Sequence, residues 1–190
     1  HTRPLELYRL PGTTVWWPSG EGNAQEKQEG ITVIAYQAPL LFANAETFKA
    51  GMMALIDGER ERPSLVILEA SGIADIDFTA AQAMKEVITR YKDCGVRFAI
   101  ARLESVRARD ALDRFSILTA LGANHLFHSV EEAVTTFQGS AVLTWRAKGG
   151  PPTLPGGGRG RLTGRGADSG AGAAKKTPPR VEVAPGGRGG

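Results

Sequence analysis

Strand-like and helix-like segments alternate along most of the chain, and this alternation limits the folds that it can adopt. Short runs of β-branched and aromatic residues are separated by longer segments whose apolar residues recur at helical spacing. Short strand–helix–strand connections require right-handed crossovers and a mainly parallel sheet, while the closely spaced opening strands indicate an antiparallel edge. The predicted strands are 13–17, 31–36, 40–42, 65–68, 96–101 and 125–127, and the predicted helices are 44–58, 79–93, 105–121 and 129–138.

The strand 65–68 and the last helix carry the clearest local signals. Residues 65–68 are continuously apolar, the pattern expected of a strand covered by helices on both faces. Ser129 and Glu132 have capping-box spacing at the start of the last helix. Asn44 is the predicted N-cap of the first helix.

The composition changes at Gly139. Residues 139–190 hold 15 of the 24 glycines and 6 of the 11 prolines, and their nine Lys/Arg against two acidic residues give a charge of +7. The rest of the chain carries 14 Lys/Arg and 18 acidic residues, a charge of −4. We therefore predict a folded domain over 5–138 and a disordered basic tail over 139–190, whose charge indicates no specific nucleic-acid partner.

Several features exclude function classes. Cys94 is the single cysteine, so no disulfide framework exists and a reducing compartment is expected. His125 and His128 lack a third ligand, so neither a metal nor another cofactor is predicted. The apolar runs fall far short of the ~20 residues that span a bilayer, which predicts a soluble chain. The first residue is His1 rather than methionine, which indicates either a processed product or a piece of a longer protein.

The segment after strand 65–68 is the candidate site, because functional loops in such sheets follow the carboxyl ends of strands. It places Asp75, Asp77 and Thr79 before a helix. One interpretation is a phosphatase of the haloacid dehalogenase type, whose Asp-x-Asp-x-Thr motif these residues match, although further Mg²⁺ ligands are missing. A second is structural, with Thr79 capping the helix and the two aspartates favouring its positive end. A third is regulatory, with Thr79 accepting a phosphoryl group.

Three further strings carry a family resemblance. They are 10–13 (LPGT), 38–45 (APLLFANA) and 73–80 (IADIDFTA). With Gly122 and the helix beginning at Ser129, they make the chain from about Leu7 to Phe137 resemble the C-terminal STAS domain of SulP-family sulfate and anion transporters. This α/β fold is shared with anti-sigma factor antagonists. The resemblance implies a small mixed sheet flanked by about four helices on one side.

The resemblance also implies a function. It predicts a non-catalytic regulatory domain on the cytoplasmic face of the cell membrane, joined to the transmembrane domain of the same full-length protein. A cytosolic regulatory protein and a second copy of the chain are further expected partners. A free-standing anti-sigma factor antagonist is the competing interpretation.

The antagonists carry a phosphorylated serine in an Asp-Ser-Ser-Gly turn, and that turn can be aligned with this chain. Asp77 takes the place of the aspartate, Phe78 that of the first serine, Thr79 that of the phosphoacceptor and Ala80 that of the glycine. Phe78 and Ala80 depart from the pattern. The expected interaction loop is Asp75, Asp77, Phe78 and Thr79, with Thr79 as the possible phosphoacceptor.

Overall fold

A six-stranded mixed sheet forms the centre of the domain. The computed structural model describes residues 3–20, 25–58 and 61–147, the last seven of them by their helical backbone alone. The strands are β1 (Leu5–Arg9), β2 (Trp16–Pro18), β3 (Ile31–Ala35), β4 (Leu65–Glu69), β5 (Arg97–Ala101) and β6 (Leu126–Phe127). Their spatial order is β2-β1-β3-β4-β5-β6.

The predicted antiparallel edge is confirmed. β1 pairs antiparallel with both β2 and β3, whereas β3, β4, β5 and β6 are parallel. The predictions missed β1, although Leu5 and Leu7 show strand alternation. The predicted strand 40–42 is wrong, because Leu40 makes only an isolated bridge to Ile76 and Phe42 already begins a helix.

Five helices connect and cover the strands. They are α1 (Phe42–Asp57), α2 (Phe78–Asp93), α3 (Val106–Arg114), α4 (Ile117–Leu121) and α5 (Val130–Ala147). The predicted single helix 105–121 is divided at Ser116, whose φ of 59° lies in the left-handed region. After the break Ile117 is buried, whereas Leu118 is exposed.

Helices lie on both faces of the sheet, as the apolar strand 65–68 predicts. Alternate side chains of β4 enter two separate cores. Val66 and Leu68 belong to the core under α1–α4, while Leu65 and Ile67 pack with Val130, Ala133 and Val134 of α5. The expectation that all helices lie on one side is therefore wrong.

Hydrogen bonds define where the helices begin and how α1 meets α2. Asn44 lies inside the first turn of α1 and accepts from the Leu41 N–H (2.9 Å), so the predicted cap is displaced. The Ser129 cap of α5 is confirmed, since its Oγ accepts from the Glu132 N–H at 3.0 Å. Between the helices, the buried Tyr91 hydroxyl donates to the Met52 carbonyl at 2.6 Å.

The last helix continues to Ala147, beyond the predicted end at Gln138. The first residues of the predicted tail are therefore helical. Residues 148–190 lie outside the described residues, so the disorder of that part stays a prediction.

Candidate functional site

The predicted interaction loop lies beyond the carboxyl end of β4, where it leads into α2. The chain that leaves β3 runs beside it. The Leu40 N–H donates to the Asp75 carbonyl at 2.9 Å, and the Asp77 N–H donates to the Leu40 carbonyl at 3.0 Å. The segment between β3 and α1 is thus hydrogen-bonded to the segment between β4 and α2, just before the two helices begin.

Asp77 caps both helices with one carboxylate. Its Oδ1 accepts from the Ala80 N–H at 2.9 Å in the first turn of α2, and its Oδ2 accepts from the Phe42 N–H at 2.7 Å at the start of α1. A carboxylate at a helix N-terminus satisfies free N–H groups and interacts favourably with the helix dipole. Asp77 therefore serves two helix ends at once, a role that its sequence position did not reveal.

Thr79 does not cap α2, so the structural interpretation placed the cap at the wrong residue. Asp77 is the N-cap, and Thr79 is the second residue of the helix, exposed to solvent. The structure records no hydrogen bond between its hydroxyl group and the described residues.

Asp75 connects the loop to α3. The Arg107 guanidinium donates to Asp75 Oδ2, and the Ser105 hydroxyl donates to the Ala74 carbonyl at 2.6 Å. Ser105 also caps α3 by accepting from the Ala108 N–H at 3.3 Å. The start of α3 is therefore held against the same loop as the starts of α1 and α2.

Three exposed apolar side chains border this loop. Phe42, Phe78 and Val106 are 74%, 61% and 70% exposed, and each is the first residue of its helix, α1, α2 and α3. We call these three residues the apolar ridge. The Phe78 ring meets the Phe115 ring edge to face, with centroids 5.8 Å apart.

Exposed apolar residues are ordinary when scattered, but grouped ones mark contact surfaces. Sequence reasoning found Phe78 and missed the other two members. Phe42 falls in the predicted strand 40–42, and Val106 lies within the predicted helix 105–121 without any feature that marks it. The sequence signal that could have identified all three residues is a large apolar residue at the first position of each helix, directly after the preceding loop.

The geometry does not favour the dehalogenase interpretation. That chemistry needs an aspartate oxygen free to attack phosphorus and further carboxylates for Mg²⁺. Both Asp77 oxygens accept backbone N–H groups, and Asp75 is paired with Arg107. Across the described part of the chain, no group of three or more His, Cys, Asp or Glu side chains could hold a metal ion.

The remaining residues considered from the sequence lie apart from the loop. Cys94 is half-buried at the C-terminal end of α2. His125 lies at the amino ends of the strands, where it lines a cavity with Arg97. None of the described helices is long and apolar enough to cross a membrane.

Comparison with known proteins gives one family over most of the domain. Residues 24–133 match the family model described as the STAS domain. A curated relative, probable sulfate transporter Rv1739c of Mycobacterium tuberculosis, is 32% identical over 138 residues. The match covers 73% of this chain and 24% of that relative, so the chain spans about a quarter of the relative's length.

Two solved structures share the fold. The murine solute carrier 26 family member A9 anion transporter superposes with a TM-score of 0.65 at 20% identity, over 73% of this chain and 22% of that one. A sulfate transporter family protein from Wolinella succinogenes gives a TM-score of 0.54 at 22% identity, over 62% of this chain and 93% of that one. At these identities the likeness shows the fold alone.

Proposed function

This chain belongs to the STAS domain family, homologous to the STAS domains of SulP sulfate transporters, and we propose that it regulates such a transporter through protein contacts. The resemblance drawn from the sequence is confirmed at the level of the family. In the proposal the chain is the STAS domain of a longer sulfate or anion transporter. It lies on the cytoplasmic face of the membrane and contacts the transmembrane domain of the same protein.

The apolar ridge is the observation that carries the proposal. Three large apolar side chains stand exposed around a loop whose backbone and carboxylates are held in place by hydrogen bonds. A rigid base with apolar anchors is the arrangement that protein interfaces use, because little conformational entropy is lost on binding. The carboxylates of the loop serve structure here, which supports binding rather than catalysis.

A double substitution on the ridge tests the proposal. Phe42→Ser with Val106→Ser removes two exposed anchors, so the folded domain should retain most of its stability. We expect at least a tenfold loss of affinity for the transmembrane domain of the cognate transporter, measured by co-purification and titration in detergent. The matched control is Leu126→Ser, an exposed apolar residue on β6 away from the ridge. Equal affinities for the two variants and the parent would refute the assignment of the ridge.

The genomic sequence gives an independent test of the transporter assignment. Upstream of the codon for His1 we expect a series of apolar segments of about 20 residues each. An initiation codon there, without such segments, would instead support the free-standing antagonist.

We further propose Thr79 as a regulatory phosphoacceptor within this surface. A phosphoryl group at the second residue of α2 would add negative charge beside the exposed Phe78 ring while favouring the positive end of the helix. Thr79→Glu should therefore change affinity for the partner, or transport, more than it changes the free energy of unfolding. Thr89→Glu, exposed later in the same helix, is the control. The idea fails if Thr79→Glu matches the parent in transport, docking and stability.

A further inference from the structure

A second cavity lies on the α5 side of the sheet, at the carboxyl ends of the parallel strands. Its volume is about 470 Å³. Leu7, Ala35 and Val130 contribute apolar surface, and Trp16 and Trp17 line it from β2. Polar side chains from the strand ends and from the start of α5 complete the lining: Gln37, Glu69, Ser71, Arg102, Ser129 and Glu131.

Glu69 is the unusual member of this lining. It is the last residue of an otherwise apolar strand and the one charged residue that is buried within the described part of the chain. Its contacts to the Ser71 N–H (3.3 Å) and the Arg102 Nη1 (3.4 Å) are long, and both involve Oε1. Oε2 makes no hydrogen bond to the described residues, and it is not among the side-chain atoms that are closed off from solvent.

Glu131 presents a second unpaired carboxylate oxygen. Its Oε1 contacts Arg9 at 3.3 Å, while its Oε2 is buried without a hydrogen-bond partner among the described residues. The Trp16 Nε1 is also buried and unpaired. The lining residues thus include two carboxylate oxygens and one indole N–H without a hydrogen bond to the described residues; Glu131 Oε2 and the Trp16 Nε1 are shielded from solvent, whereas Glu69 Oε2 is not.

The backbone at Arg102 adds a further sign of a built site. Its φ of 57° lies in the left-handed region, which residues with a side chain rarely adopt. Its guanidinium is shared between Glu69 and the exposed Glu104, each at 3.4 Å. Arg102 is therefore shared with a second carboxylate and neutralises Glu69 only in part, while Arg9 pairs with Glu131.

We propose that this cavity binds a compact organic cation, an alkylguanidinium or alkylammonium group, between Glu69, Glu131 and the Trp16 indole ring, which packs on the α5 side of the sheet. Such a group supplies several N–H donors to unpaired carboxylate oxygens, where charge-assisted hydrogen bonds are strong. Its charge is also attracted to the indole face. The group belongs either to a small free molecule or to a lysine or arginine side chain of a protein segment.

Titration of the 190-residue chain with propylguanidine tests the site directly. We expect a saturable shift of the Trp16 indole N–H resonance in ¹H–¹⁵N spectra, assigned by substitution of Trp16. Propylurea has the same planar shape without the charge and should give no saturable shift. Equal responses to the two compounds, or no saturation with propylguanidine, would overturn the proposal.

Isosteric substitution locates the site within the cavity. Glu69→Gln should weaken propylguanidine binding by about tenfold or more. Glu104→Gln removes another carboxylate that contacts Arg102 but does not line the cavity, so it should bind as the parent does. Unchanged binding by Glu69→Gln, in a variant whose spectrum shows the parent fold, would contradict the assignment.

A capped peptide with one arginine separates the two sources of the cation. Binding by propylguanidine alone assigns the site to a free small molecule, and tighter binding by the peptide assigns it to a protein side chain. Both results support a cation site. Propylguanidine binding that persists undiminished in Glu69→Gln and Glu131→Gln together would refute it.

Discussion

Asp77 is the position where one substitution should cost two helices their caps. Asp77→Ala removes the acceptors of the Ala80 and Phe42 N–H groups together. Loss of an N-cap costs typically about 1 kcal/mol, and loss of a negative charge at a helix start costs a further ~0.3–1 kcal/mol. Counted for two helices, the free energy of unfolding should fall by about 3 kcal/mol, a large part of the ~5–15 kcal/mol of an ordinary domain.

Asp77→Asn distinguishes the loss of one of the two hydrogen bonds that Asp77 accepts from the loss of both. An asparagine keeps one side-chain oxygen, which can still cap one helix, but its amide group cannot accept from the other N–H. We expect this variant to lose about 1–2 kcal/mol, between the parent and Asp77→Ala. Ser129→Ala is the single-cap reference, since Ser129 Oγ caps α5 alone, and it should lose about 1 kcal/mol.

Urea unfolding followed by circular dichroism measures all three variants. The slope of the free energy against urea should stay constant, so the differences report stability rather than a changed unfolded state. The double-cap reasoning is wrong if Asp77→Ala loses no more than Ser129→Ala, or if Asp77→Asn is as stable as the parent.

Two further predictions follow from close contacts and from a buried hydroxyl. A Cβ at Gly72 would lie 2.6 Å from the Gln37 Cα and 2.8 Å from the Tyr36 carbonyl oxygen, so Gly72→Ala should destabilise the domain by ~1–3 kcal/mol in urea unfolding. Gly139→Ala, in α5 with open space around it, should instead stabilise by ~0.5–1 kcal/mol, and a shared sign would contradict this contrast. Burial raises the pKa of Tyr91 above its ordinary value near 10, so the folded state keeps a proton that the unfolded state releases. The free energy of unfolding should therefore be retained below pH ~10 and fall above it. Tyr91→Phe should show a smaller loss of stability above pH ~10 than the parent. An equal loss in both proteins would show that other groups cause the decline.

Local patterns in the sequence predicted much of the sheet and its helices. The alternation of strands and helices, the antiparallel edge and the Ser129 cap all depend on residues near one another in the chain. The same local logic failed at Asn44 and Thr79. At both helix starts Asp77 satisfies the free N–H group instead, that of Ala80 in α2 and that of Phe42 in α1.

The candidate site depended on contacts between distant residues. Asp77 and Phe42 are 35 positions apart, and Arg107 reaches Asp75 across 32. No local periodicity encodes such pairs, so the sequence indicated the loop without its second helix cap or its apolar ridge. The cavity beside Glu69 was missed for the same reason, since its lining comes from β2, the strand ends and α5.

The two outer strands limit how this sheet can take part in assembly. β2 has three residues and ends in Pro18, and β6 has two residues. Long unpaired edges invite strand addition from other chains, whereas short or proline-ended ones offer few free N–H and C=O groups. Copies of the domain can therefore be crowded together at high local density without their sheets fusing into a continuous one. Assembly must then depend on side-chain complementarity, which substitutions can adjust one contact at a time.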